Sequence, residues 1–99
     1  MATFITTIKF TTLGTKSLHH TTQRAAEFPE VAQKLGAKVL QVYWTLGDHD
    51  GVLIFEAPDD ETATALAMHL ASLGYVQTST SRAFDAKEMD RVIAKLPKS

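Results

Sequence analysis

Polar and apolar residues alternate over residues 3–10: Phe4, Thr6, Ile8 and Phe10 share one face, and Ile5, Thr7 and Lys9 the other. That period of two predicts a first strand. Residues 11–17 form a polar connection around Gly14, with Thr15 or Ser17 available to cap a helix. The period then lengthens. Ala25, Phe28, Val31, Ala32 and Leu35 recur at three and four residues, which predicts a helix over about residues 22–35, stopped by Gly36. Pro29 falls inside it. Its ring has no N–H for the carbonyl of Ala25 and crowds that turn, so the helix is expected to kink there or to restart with Pro29 in its first turn.

Residues 38–46 again alternate, with Leu40, Val42, Trp44 and Leu46 on one side and Val39, Gln41, Tyr43 and Thr45 on the other. Residues 52–57 are apolar on both faces, as a central strand requires. Asp59 is placed to cap the next helix, with Ala63, Leu66, Ala67, Leu70 and Ala71 as its buried stripe and Gly74 as its stop. Residues 75–82 are extended by their Thr and Ser content and polar enough for an edge. A last helix starts at Asp85, with Glu88 as its capping-box partner, and is expected to bury Met89, Val92, Ile93 and Leu96 before Pro97.

The order βαββαβ plus a terminal helix predicts an α+β, ferredoxin-like chain with an antiparallel sheet ordered 4-1-3-2. Two helices cover one sheet face. Either a second subunit or the terminal helix must cover the other.

Composition narrows the partners. The chain has 99 residues, read as one domain over residues 1–99, a size at which packing against a second copy would help, and a formal charge of -1 without a basic run. Nucleic acid is therefore not an expected partner. No cysteine is present, which removes disulfides, thiol nucleophiles and cysteine-ligated metals. The N-terminal stretch is neither a signal sequence nor a membrane span, so the expectation is a soluble, cytoplasmic chain with no membrane partner.

The densest chemistry lies at residues 43–51, which hold Trp44, the one Trp, together with Asp48, His49 and Asp50. Two hairpin registers compete. With Gly47 and Asp48 at the turn, Thr45 faces Asp50, and Asp50 shares the open face with Tyr43, Val52 and Ile54. With Asp50 and Gly51 at the turn, His49 joins Tyr43 instead. The first is favoured, because Gly51 is tolerated within a strand beside a bulky Trp44. Tyr43, His49 and Asp50 are the candidate ligand-binding residues, and Gly47, Asp48, Gly51 and Trp44 the structural ones. The plainer reading makes Asp50 an acid capping its own turn and His49 a solvated turn residue. Neighbouring strand residues point to opposite faces, so residues 48–50 make no metal site, and no cofactor is implied. His19 and His20 diverge on their helix, and His69 is expected on the outer side of its own. The serines lack a nucleophile elbow and the glycines form no phosphate loop, so no catalytic set assembles.

Residues 43–50, followed by residues 56–61, resemble the GYD domain family of small bacterial proteins, as do residues 34–39 and 82–85. The chain departs from the pattern at His49, where the family has Tyr, and Pro29 and Gly51 are also atypical. The resemblance implies a dimeric α/β-barrel fold and self-association, and transfers no activity. The functional expectation is a self-associating, homo-oligomeric domain that binds a small molecule at its open sheet face. The alternatives are a cofactor-independent oxygenase or isomerase with its cleft near Tyr43, His49 and Asp50, and a metal-binding or stress-related protein.

Overall fold

The first strand, β1 (Ala2–Phe10), lies at the centre of the sheet because both of its edges are taken. The computed structural model describes residues 1–98, one short of the expected domain span. A short helix α1 (Thr12–Lys16) and a 3-10 turn (Leu18–His20) lead into α2 (Thr21–Lys34), followed by β2 (Lys38–Trp44), β3 (Gly51–Ala57), α3 (Asp60–Ser72), β4 (Val76–Ala83) and α4 (Ala86–Ile93). The sheet is antiparallel in the order β2-β3-β1-β4, as the strand sequence predicted. Phe4, Leu53, Phe55 and Ala57 of the central strands meet Phe28 and Ala32 of α2 and Ala63 and Leu66 of α3 in the core. The Phe4 and Phe55 rings stack with centroids 5.4 Å apart. Thr6, only 1% exposed, satisfies its hydroxyl against Thr80 across the β1–β4 pair at 2.8 Å.

Local chemistry accounts for the helix ends. Asp59 accepts the N–H of Thr62 at 2.7 Å, and Asp85 and Glu88 form the reciprocal capping box. At the end of α2 the N–H of Ala37 reaches the carbonyl of Ala32 and that of Gly36 reaches Gln33, with Gly36 at φ +83°. This is a Schellman stop, which a residue with a Cβ fits poorly.

Four features depart from the sequence expectations. The stretch before α2 is helical, not a simple connection: Thr11 caps α1, and the buried Gly14 must be glycine because a Cβ there would overlap the carbonyl oxygen of Tyr75. Helix α2 runs unbroken through Pro29, which sits on its exposed side, so no second helix restarts there. A bulge in β2 between Val39 and Gln41 gives Leu40 no partner and turns Val39 to the helix side with Val42, opposite to strict alternation. Finally, α4 buries none of its residues: Met89, Val92 and Ile93 are exposed, Ile93 at 51%, and so is Leu96 just past its end, at 65%. The reason is placement. Helix α4 leaves β4 at the Ala83 end, packs broadly against no other element, and stretches the molecule to 53 × 31 × 19 Å. The radius of gyration, 15.3 Å, exceeds the roughly 13 Å of a compact chain this long.

Candidate functional site

The hairpin register follows from Gly47. It takes φ +131°, the N–H of Thr45 reaches the carbonyl of Asp50 at 2.9 Å, and Trp44 faces Gly51 across the strands. This is the favoured pairing of Thr45 with Asp50. The loop between them is closed by the Thr45 hydroxyl, which donates to the carbonyl of His49 at 2.7 Å. His49 and Asp48 are exposed in that loop, and Leu46 stands wholly in solvent.

Behind the hairpin, on the side of the sheet covered by helices, lies a cavity of about 450 Å³. Its floor is Ile8 and Phe10 of β1, Val42 and Trp44 of β2, and Leu53 of β3. Arg24, Ala25, Phe28 and Val31 of α2 form one wall, and His69 and Leu70 of α3, with Leu73, Tyr75 and Val76 beyond them, form the other. Sealed and empty, a gap of this size would cost about 10 kcal/mol, comparable to the whole stability of a small domain. It survives as a cleft open to water.

Of the residues singled out in the sequence, Asp50, Tyr43, Trp44 and Gly51 border this cleft, whereas His49, Asp48 and Gly47 do not. The cleft was expected on the open face; this one is on the helix face. Tyr43 follows strand alternation away from Val42 and Trp44 and is 52% exposed, with its carbonyl oxygen 3.0 Å from where a Cβ on Gly51 would stand. The Asp50 carboxylate accepts the N–H of Phe10 at 2.8 Å, and the Asp50 N–H donates to the carbonyl of Ile8. Its side chain thus adds one rung to the β1–β3 ladder. Trp44 is held at the rim by its indole N–H, which donates to the hydroxyl of Thr21 on α2 at 3.1 Å.

Arg24 and Tyr75 were missed. The Arg24 guanidinium lies 4.1 Å over the Tyr75 ring and donates to the carbonyl of Ser17 at 3.2 Å. The signal was present, because Arg24 stands on the same face of α2 as Ala25, Phe28 and Val31, a charge within the apolar stripe. His69, expected on the outer side of α3, is exposed and still reaches the rim.

A second apolar surface lies elsewhere. On the open sheet face Ile5 and Tyr43 are exposed and Val52 and Ile54 partly so, and beyond the Ala83 end of the sheet α4 adds Met89, Val92 and Ile93, followed by Leu96. Glu88 anchors α4 by an ion pair with Arg82 at 2.6 Å, and Arg82 covers the exposed Phe84 at 4.6 Å. The hydrogen bond from Arg82, and then that from the Asp85 N–H, hold the Glu88 carboxyl below its usual range. Among the described residues no group of three or more His, Asp or Glu side chains is arranged to hold a metal ion, and no helix is long and apolar enough to cross a membrane.

Comparison with known proteins agrees with this architecture. The chain is 33% identical over 90 residues to the glutamine synthetase and cystathionine beta-lyase binding protein of Thermus thermophilus, covering 90% of this chain and 95% of that relative. The crystal structure of TTHA0845 from Thermus thermophilus is similar with a TM-score of 0.57 at 25% identity, over 87% of this chain and 96% of that one. The model of the GYD domain matches residues 4–93. The chain belongs to the GYD domain family.

Proposed function

We propose that this chain is a non-catalytic module that self-associates through its open sheet face and α4 and docks onto other proteins. The observation that carries this reading is the uncovered apolar face of α4. Three large apolar side chains, Met89, Val92 and Ile93, stand exposed on the helix, with Leu96 exposed just beyond its end, in a chain whose open sheet face is also uncovered. Exposed apolar residues scattered singly are ordinary, but a continuous stripe marks a contact surface. Two copies related by a twofold axis let the helix of each lie against the sheet of the other, so both surfaces are buried reciprocally. The name of the Thermus relative supports the docking half, since that protein is named for binding two enzymes.

Sedimentation equilibrium at tens of micromolar, the range of a weak interface, tests the first half. A dimer that dissociates on Ile93→Asp is the expected result, and a strict monomer overturns it. Titration of purified glutamine synthetase with the chain tests the second. Saturable binding is expected, and no binding at the same concentrations removes that enzyme as its partner.

A further inference from the structure

The cleft between α2 and α3 opens on the opposite side of the sheet from the surfaces assigned to self-association, with Tyr43 at the edge of both. It lies where β1 ends at Phe10, whereas α4 leaves from the other end of the sheet, where Thr3 pairs with Ala83. Its volume, about 450 Å³, falls within the roughly 300–1,000 Å³ typical of small-molecule sites. The walls are mostly apolar and aromatic, and the aromatic groups are held in place: Trp44 by Thr21, and Tyr75 by the guanidinium above it.

The charges at the cleft are unequal in what already answers them. Asp50 has the N–H of Phe10. Glu27 is exposed to solvent on α2. His69 stands exposed at the far rim. Arg24 is half-buried, and among the described residues it makes one hydrogen bond, to a neutral carbonyl, and no ion pair. A guanidinium carries five N–H donors in a rigid fork suited to a carboxylate or similar anion. Stacking on Tyr75 fixes that fork before any ligand arrives, which reduces the entropy lost on binding.

We propose that the cleft binds a small molecule with a flat apolar body and one anionic group. The body lies among Trp44, Phe28 and Leu70, and the anion pairs with Arg24. This pairing needs no second copy of the chain.

Trp44, the one Trp in the sequence, stands at the rim and serves as the reporter. The probe is 1-anilinonaphthalene-8-sulfonate, a flat apolar anion, followed by energy transfer from Trp44. Competition then uses 3-phenylpropionate, 3-phenylpropanol and 3-phenylpropylamine, which share one body and differ in charge. Saturable probe binding is expected, displaced best by the carboxylate. Arg24→Met should weaken probe and carboxylate by about tenfold or more, the size of one charge-assisted hydrogen bond, and leave the alcohol unchanged. Ala25→Phe, which fills the cleft, should weaken all of them, and Ile93→Asp should change none. Circular dichroism establishes that each variant is folded, and if Ala25→Phe is not, the competition series on Arg24→Met decides alone. Probe affinity unchanged by Arg24→Met overturns the proposal, and so does probe binding lost with Ile93→Asp, which would place the probe on the self-association surface. Displacement led by the amine overturns it equally, because Asp50 and Glu27 would then set the sign of the ligand.

Discussion

The carboxylate of Asp50 holds the N–H of Phe10 at 2.8 Å, at the point where the backbone pairing of β1 with β3 runs out. Asp50→Ala would leave that part-buried N–H without its acceptor and should cost about 1–3 kcal/mol in urea denaturation, as expected for a hydrogen bond to a charged group. Asp50→Asn keeps an acceptor oxygen and should cost less. Equal losses for the two variants would count against this role.

Gly14 and Tyr75 are in close approach, with the Tyr75 carbonyl occupying the space of a Gly14 side chain. Gly14→Ala should destabilise the chain by about 1–3 kcal/mol through overpacking. Because the shift falls on Tyr75, the partner of the Arg24 guanidinium, it should also change tyrosine ellipticity in the near ultraviolet. A variant with unchanged stability and spectrum would contradict the contact.

Pro29 lies in the interior of α2 on its exposed side, leaving the carbonyl of Ala25 without a helical donor. Pro29→Ala should raise stability by about 2 kcal/mol, the helix-interior penalty of proline less the entropy that proline removes from the unfolded chain. Thermal melting checks this, and a lower midpoint would show that the proline favours the folded helix here.

Helix α4 should loosen in acid. The Glu88 carboxyl is held below its usual range first by Arg82 and then by the Asp85 N–H, so the folded helix binds fewer protons than the unfolded segment between that lowered value and the ordinary one of about 4.3. The stabilisation is therefore present above that window and disappears as pH falls through it. Amide exchange at Met89, whose N–H donates to the carbonyl of Asp85, should show this loss after correction for intrinsic rates. Glu88→Gln should remove most of the pH dependence.

The sequence displayed those parts of the fold that depend on neighbours along the chain. Asp59, Asp85 and Glu88 announced their helices because capping is a local exchange of hydrogen bonds. The sheet order followed from the βαββαβ succession of elements, and the Thr45–Asp50 pairing is the register that places Gly47 in the turn. Other features depended on what lay opposite. Val39 turned inward because Leu40 bulges out of the ladder, which alternation does not reveal. Met89, Val92, Ile93 and Leu96 form a stripe that predicts a buried face without saying whether its cover comes from the same chain. The cleft was illegible for a similar reason, since it arises from space left between α2 and α3, and Arg24 acquired interest only once that space had walls.

The bulge at Leu40 also bears on how copies can meet. Strand β2 is an outer strand, and an unbroken outer strand offers a row of free backbone groups on which another chain can extend the sheet without limit. The bulge interrupts that row near its middle and twists it. Edge-to-edge growth into fibres is thereby discouraged on this side, and the dimer proposed above would form across faces instead.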